Sequence, residues 1–199
     1  MFHKLVLIGL LGGASTTVVS PTEPTVAVRE FLDVCLGDHG DRDELLALTE
    51  RNGWQFLPRS KIDADLVELF DEKRYGGYRW IWGKVGSSNG PVLMVTQDLT
   101  TSEIGDILRI KCIVFSRDTD QSVAGSDIER LLGREPANGN GALFQWAYAK
   151  TAEERKFFSQ SEPGWIREAV RSAPVHTIQI DRFKSYARLT FELLIFTGS

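Results

Sequence analysis

One short segment of the chain, residues 86–90, matches the G-x-S-x-G pattern that surrounds the nucleophile of many serine hydrolases. Ser88 would be that nucleophile, and His176, further along the chain, could act as its general base. In such hydrolases the serine lies on a sharp turn between a strand and a helix. Here Pro91 and a second apolar run follow the segment, which indicates a hairpin loop between two strands. The context therefore favours a loop, and Ser88 with His176 is kept as an alternative hydrolase site.

A second cluster of chemically capable residues follows the first cysteine and contains Asp38, His39, Asp41 and Asp43. Carboxylates and imidazole are ligands that bind divalent cations. Their spacing matches neither the EF-hand loop nor the H-E-x-x-H motif. Acidic residues before and within the first turn of a helix also cap its free N–H groups and complement its dipole. The cluster therefore favours a helix start, metal binding by these four residues is the alternative, and no cofactor is expected.

Aromatic residues alternate with other residues at Tyr78, Trp80 and Trp82, and again at Trp146 and Tyr148. This period of two predicts that each set lines one face of a strand. An exposed set could stack against a sugar or hold a peptide. Because aromatic side chains dominate the packing of protein cores, we expect both sets to be buried. An exposed aromatic surface formed by Tyr78, Trp80 and Trp82 is the alternative.

The segments that would position these residues are helices in the first third of the chain and mainly strands afterwards. Apolar residues recur with helical spacing near the N-terminus, whereas a period of two begins at Gly77. Short loops between successive strands favour antiparallel pairing. The expected fold is an α+β domain, an antiparallel sheet with N-terminal helices and further short helices packed on one face. We predict helices over residues 22–37, 41–53, 63–72, 126–133 and 161–171, and strands over residues 78–83, 91–97, 107–115, 142–149, 176–182 and 186–196.

The helix over residues 126–133 is expected to begin at a capping box formed by Ser126 and Glu129 and to end at Gly133. Asp118-Thr119-Asp120, earlier in the same segment, is predicted to form a polar turn after a strand. His176 is expected to be half-buried in the first strand of the last hairpin.

The first twenty residues have the order of a secretory signal peptide, with a short basic start, a charge-free apolar run and then small residues. The apolar run, residues 5–14, is shorter than the about 20 residues that a membrane-spanning helix needs. We therefore expect residues 1–20 to be removed on export, leaving a single domain over residues 21–199. Pro21 disfavours cleavage directly after Ser20, so the cleavage position stays open between residues 15 and 27. The expected location is periplasmic or secreted.

Both cysteines of the chain are expected to point into the core. Cys35 shares a helical face with Val28, Phe31 and Leu32, and Cys112 lies on the apolar face of a strand. An even number of cysteines in an exported protein suggests a disulfide. Two separate buried thiols are the alternative, because free cysteine is among the most buried residue types. A catalytic thiol is disfavoured, since no C-x-x-C motif is present and neither cysteine has a histidine beside it in the sequence.

The composition narrows the classes of partner. The chain has 23 Lys and Arg residues against 27 Asp and Glu residues, a formal net charge of −4, and the two signs are interspersed. Because there is no basic stripe, nucleic acid is not an expected partner. No apolar segment after the N-terminal run is long enough to span a membrane, and the apolar content of 42% argues against disorder.

The phrase AVREFLDVCLGDHGDRDELLALTERNGW, residues 27–54, combines a phenylalanine, a cysteine, an acidic gap, a short helix and Gly53-Trp54. After a signal-like start, it resembles the opening of a loose set of small exported proteobacterial proteins. A later strand with Cys112, followed by a helix that ends in the Leu-Leu-Gly sequence of residues 131–133, is similar too. The resemblance implies export and a cysteine pair, and it implies no catalytic residues.

The sequence therefore predicts an exported binding or envelope-interaction domain rather than an enzyme. Its expected partner is an envelope protein or a small ligand. This prediction depends on the lack of a catalytic motif in a suitable context. An extracytoplasmic hydrolase that uses Ser88 and His176, or an acidic site, is the alternative function.

Overall fold

The computed structural model describes residues 23–36, 42–70, 78–84, 90–140, 142–150, 155–158 and 165–198. The predicted signal peptide, the loop that holds Ser88, and Asp38, His39 and Asp41 lie outside these residues. The described helices are α1 (Val26–Val34), α2 (Arg42–Arg51), α3 (Ala64–Val67), α4 (Gln121–Leu132) and α5 (Trp165–Ser172), with 3₁₀ turns at Arg59–Lys61 and Glu68–Phe70. The described strands are β1 (Trp54–Phe56), β2 (Tyr78–Lys84), β3 (Val92–Ser102), β4 (Gly105–Ser116), β5 (Asn138–Gly139), β6 (Leu143–Lys150), β7 (Arg155–Phe157), β8 (Val175–Phe183) and β9 (Tyr186–Gly198).

The nine described strands form one antiparallel sheet, which confirms the predicted α+β class. Their order is β1-β2-β3-β4-β9-β8-β6-β5, and β7 also pairs with β6. The last strand of the chain, β9, therefore lies in the middle of the sheet between β4 and β8. The long strands β3, β4 and β9 pair over most of their length and form the centre of the sheet.

Alternate residues of each strand point to opposite faces, and the register shows which residues share a face. On one face, Val95, Cys112, Phe191, Ile178 and Trp146 are successive cross-strand partners. We call this the disulfide face, because it carries Cys112. The opposite face carries Lys111, and we call it the charged face.

The disulfide face is covered by one continuous apolar core. Helices α1 and α4 pack on it, and Leu45 of α2 joins the same cluster. Phe31 and Ile128 are fully buried between these helices and the sheet. The strand residues that share this core include Ala187, Leu189, Phe191 and Leu193 of β9, as their alternation predicted.

The charged face has two smaller apolar clusters. Leu66 of α3 packs on one of them, and Ala169 and Val170 of α5 pack on the other. Helices therefore cover parts of both faces, which corrects the expectation that they all pack on one face. The strand residues beneath α3 are Ile81, Met94, Ile113, Phe115 and Tyr186, and those beneath α5 are Val175 and Leu194.

Helix α4 begins one and a half turns earlier than its predicted capping box. The side chain of Asp120 accepts hydrogen bonds from the backbone N–H groups of Ser122 and Val123, at 2.8 and 3.1 Å. Asp120 is therefore the N-cap, and Ser126 lies inside the helix. The predicted start was wrong because two capping signals occur in succession and the earlier one is used. The predicted end is correct, since Gly133 caps the helix with a φ of +62°.

Cys35 and Cys112 form a disulfide, as predicted. It joins the residue after α1 to the middle of β4, and the two cysteines are 77 residues apart in the chain. Both cysteines are 1% exposed. The bond therefore fastens the first helix to the central strands from inside the core.

Candidate functional site

The outer edge of β6 is covered by two short strands that do not meet. Strand β5 pairs with β6 at Phe144 and Gln145, and β7 pairs with it from Tyr148 onwards. Between them, the N–H of Ala137 bonds the carbonyl of Gln145, and the N–H of Phe158 bonds the carbonyl of Ala147. The gap between the two strands forms a cleft at the edge of the sheet.

The cleft has a volume of about 530 Å³. Sites for small molecules commonly occupy about 300–1,000 Å³ and combine apolar or aromatic walls with a few polar groups. The lining of this cleft has that character. It consists of Gly133, Arg134, Glu135, Ala137, Trp146, Ala147, Phe157 and Phe158.

One wall of the cleft is the segment that follows α4. The left-handed Gly133 turns the chain out of the helix, and the N–H of Arg134 donates to the carbonyl of Glu129 at 3.3 Å. The indole N–H of Trp146 donates to the carbonyl of Arg134 at 3.0 Å. Trp146 is itself 1% exposed. The wall is therefore hydrogen-bonded to a side chain that the core holds in place.

The opposite wall is formed by Phe157 and Phe158, which are both half-buried. The ring of Phe157 packs against the core of the disulfide face, and that of Phe158 packs against the cluster under α5. The guanidinium carbon of Arg134 lies 5.5 Å from the ring centroid of Phe157, within the range of a cation–π contact. Arginine binds planar carboxylate and phosphate groups through paired N–H donors. The cleft thus combines an aromatic wall with an exposed guanidinium at its rim.

A second cavity of about 420 Å³ adjoins the cleft along α4. It shares Gly133, Arg134 and Glu135 with the cleft and is also lined by Glu129 and Arg130. Arg130 pairs with Asp127 at 2.6 Å. Gly133, Arg134 and Glu135 therefore lie between the cleft, which has aromatic residues in its lining, and this second cavity, whose lining is mainly charged.

His176 is half-buried on the disulfide face of β8, as expected. Its ring stacks on that of Tyr148, with centroids 4.9 Å apart and planes 2° from parallel, and it lies 5.6 Å from the ring of Phe191. Ser88 lies outside the described residues, so its pairing with His176 stays a prediction.

Of the predicted metal ligands, Asp43 is described, and it lies exposed in the first turn of α2. That position agrees with the expectation that the acidic cluster starts a helix. Asp38, His39 and Asp41 lie outside the described residues. Within the described ranges, no three His, Cys, Asp or Glu side chains are grouped closely enough to hold a metal ion.

The aromatic residues of β2 do not share one environment. Trp82 is 6% exposed and packs in the core, Trp80 is half-buried, and Tyr78 is 69% exposed. The rings of Tyr78 and Trp80 stack with centroids 5.9 Å apart. Trp146 and Tyr148 are both buried, as expected. The expectation that this set is buried is therefore wrong for Tyr78, and the exposed aromatic surface of β2 is reduced to Tyr78 and part of Trp80.

The pKa of Tyr186 is clearly raised. Burial raises the pKa of its hydroxyl above the usual 10.0, and the charge and hydrogen bond of the Asp63 carboxylate add to that rise. Arg117 opposes the shift, since its guanidinium lies 4.8 Å from the Tyr186 ring and 2.8 Å from Asp63. A cavity of about 210 Å³ opens beside these residues.

Sequence reasoning missed the cleft, because its lining comes from three separate parts of the chain. The doublet Phe157-Phe158, between a predicted strand and a predicted helix, was the one local signal that could have pointed to it. No described helix is both long and apolar enough to cross a membrane. Comparison of the chain with protein-family models, with curated proteins and with solved structures finds no match.

Proposed function

We propose that the chain is an exported binding protein and that its ligand is a small amphipathic anion held in the cleft beside β6. The apolar part of the ligand would lie against Phe157, and its acidic group would contact Arg134. The observation that carries this proposal is the cleft of about 530 Å³ with an aromatic wall and a guanidinium at its rim.

The chemistry of the lining favours binding over catalysis. Among the described residues around the cleft, Glu135 supplies the single carboxylate, and none is a serine, cysteine or histidine. A hydrolase needs a nucleophile or an activated water next to a general base. Binding needs apolar area and a small number of fixed polar groups, which this cleft has.

Export is supported by two features. The N-terminal sequence has the order of a signal peptide, and a buried disulfide is typical of proteins that fold in an oxidising compartment. The N–H of Thr25 donates to Asp127 at 2.9 Å, and Ala27 is 1% exposed. Because cleavage after Ala27 would remove these contacts, we propose that processing occurs before Thr25.

Export is tested by the intact mass of the protein from an extracytoplasmic fraction, measured before and after reduction and alkylation. We expect a chain that starts between residues 15 and 25 and takes up the alkylating reagent only after reduction. A full-length chain with two free thiols would contradict export.

The ligand class is tested with two fluorescent probes that share an apolar ring system. Anilinonaphthalene sulfonate is an anion, and phenylnaphthylamine is uncharged. We expect saturable binding of the sulfonate, with one site per chain. Arg134→Met should weaken the binding of the sulfonate by at least about tenfold, because a hydrogen bond to a charged group contributes about 1.5–3 kcal/mol. It should change the affinity for the uncharged probe less than about twofold, since that probe has no acidic group for Arg134 to bind.

A matched pair of variants locates the site. Ala137→Trp fills the cleft and should abolish the binding of both probes, whereas Ala47→Trp places the same ring on an exposed position of α2 and should leave both affinities unchanged. Circular dichroism and thermal unfolding check that both variants fold. Equal affinities in the two variants would contradict the cleft as the site.

The alternative function, a hydrolase that uses Ser88 and His176, makes a different prediction. Ser88→Ala and His176→Ala would each abolish esterase activity, and Ala137→Trp would have no reason to act the same way. If the partner is instead a protein of the envelope, that protein should bind the wild-type chain, and neither probe should show saturable binding.

A further inference from the structure

Two arginines flank one aromatic pair at the edge of the disulfide face. The pair consists of Phe157 on β7 and Tyr148 on β6, which are cross-strand partners with ring centroids 5.3 Å apart. Arg155 lies two residues before Phe157, so it shares that face and its Cα atom is about 6.6 Å away. The carbonyl of Arg134 accepts the indole N–H of Trp146, two residues before Tyr148. Because β6 and β7 are antiparallel, Arg155 and Trp146 fall on opposite sides of the aromatic pair.

Each guanidinium is positioned by one ring of the pair. The guanidinium carbon of Arg134 lies 5.5 Å from the centroid of Phe157, and that of Arg155 lies 5.6 Å from the centroid of Tyr148. Both distances are in the range of a cation–π contact, which engages the charge and not the five N–H donors. Both arginines are exposed, and no carboxylate within the described ranges forms an ion pair with either of them. Both guanidiniums can therefore still bind an acidic group.

The lining of the cleft supplies one of these two cations. Among its described residues, Arg134 is the one cationic side chain and Glu135 is the one carboxylate. The charge of Glu135 opposes the attraction of Arg134 for an anion. Arg155 lies outside the lining, but it adds a second guanidinium beside Phe157, the ring that the apolar part of a ligand would contact. A ligand on Phe157 would therefore have one guanidinium on each side.

We propose that the ligand of the cleft carries two acidic groups, one on each side of an apolar ring system, and that Arg134 binds one group while Arg155 binds the other across Phe157. This inference rests on the proposed function, because it names the class of ligand for the same cleft. It adds Arg155 as the residue that distinguishes a ligand with two acidic groups from a ligand with one.

The test compares two probes that share one ring system, naphthalene sulfonate and a naphthalene disulfonate with one sulfonate on each ring. Each is titrated into the wild-type protein at about 0.15 M salt, where exposed charges more than about 8 Å apart are largely screened. The indole N–H signal of Trp146 reports binding in the cleft, because this group donates to the carbonyl of Arg134.

We expect the disulfonate to bind about fivefold more tightly than the monosulfonate, because an exposed ion pair contributes up to about that factor. Without a second cation the opposite result is expected. The added sulfonate would then lose part of its hydration without gaining a partner, and the disulfonate would bind more weakly.

Arg155→Met and Lys156→Met form a matched pair of variants. They remove the same charge from neighbouring exposed positions of β7, and the alternation of the strand places Lys156 on the opposite face. In Arg155→Met the preference for the disulfonate should fall below about twofold, with the affinity for the monosulfonate changed by less than about twofold. Lys156→Met should keep the wild-type preference. Circular dichroism checks that both variants fold.

The outcomes separate this inference from the proposed function. Saturable binding of the monosulfonate without tighter binding of the disulfonate would overturn the ligand with two acidic groups and leave the cleft as a binding site. An equal loss of preference in Arg155→Met and Lys156→Met would overturn the role of Arg155. If neither probe shifts the Trp146 signal, the inference and the proposed function both fail. The comparison on wild-type protein decides the question if Arg155→Met does not fold.

Discussion

The two faces of the sheet differ in how their apolar residues are arranged beneath the helices. On the disulfide face, α1 and α4 meet a row of apolar partners that runs without interruption from Val95 to Trp146. On the charged face, the neighbouring row passes through Lys111 and Glu192, and apolar clusters lie to either side. The two rows are offset by a single residue along each strand.

This difference predicts that the two faces contribute unequally to the free energy of unfolding. Burial of apolar area contributes about 25 cal/mol per Å², so the continuous core of the disulfide face should dominate stability. Exposed or shared ion pairs contribute about 0–1 kcal/mol each. The charged face can therefore change its side chains at a small energetic cost, and the predictions below test that contrast.

Removal of the disulfide should have the largest effect on stability. The bond closes a loop between residues 77 apart, and the chain-entropy model gives about 4–5 kcal/mol for a loop of that size. Urea unfolding of the wild-type protein, oxidised and reduced, measures this directly. A difference below about 1 kcal/mol would show that the bond contributes little beyond the packing of the two cysteines.

Adjacent residues of β9 compare the faces on one strand. Leu189→Ala empties part of the continuous core and should lower the free energy of unfolding by about 2–5 kcal/mol. Thr190→Ala, on the charged face, should change it by less than about 1 kcal/mol. Similar losses in the two variants would mean that the two faces contribute equally to the free energy of unfolding.

Glu192→Gln tests the ion pairs of the charged face. Arg109 and Lys111, the two cationic partners of Glu192, keep about a third of their side chains exposed, so the free energy of unfolding should fall by about 1 kcal/mol or less. Urea unfolding of the variant measures this change, and a loss as large as that of Leu189→Ala would contradict the small energetic contribution of these ion pairs.

Substitution of Tyr186 should have the smallest effect on the free energy of unfolding, and that effect should be confined to alkaline pH. Because its pKa is raised in the folded state, the neutral hydroxyl contributes stability below the usual pKa of 10.0, and this is lost as pH rises through the folded value. Tyr186→Phe should remove that part of the alkaline decline, as measured by urea unfolding on both sides of pH 10.0. An identical decline in the variant would assign it to other groups.

The disulfide face could be predicted because local periodicity was sufficient. Helical spacing placed Cys35 on an apolar face, and alternation placed Cys112 on another. The charged face was harder. Consecutive apolar residues, such as Leu193-Leu194 and residues 113–115, predict that both faces of their strands are buried. The sequence pattern does not show which helix covers which face.

The cleft could not be predicted, because it depends on pairing between distant segments. Strands β5 and β7 are two and three residues long, and both pair with the same edge of β6. Nothing local in the sequence fixes that register. The start of α4 was also hard to predict from the sequence. Two successive capping signals, at Asp120 and Ser126, fit this helix, and only packing selects between them.

The most direct test of ligand binding in the cleft uses the indole N–H signals of the five tryptophans. Trp146 is the one described tryptophan that lines the cleft, and its N–H donates to the carbonyl of Arg134. In a titration with anilinonaphthalene sulfonate, we predict that the Trp146 signal shifts saturably while those of Trp54 and Trp82 stay in place. A Trp146 signal that does not move while other indole signals do would contradict binding in the cleft.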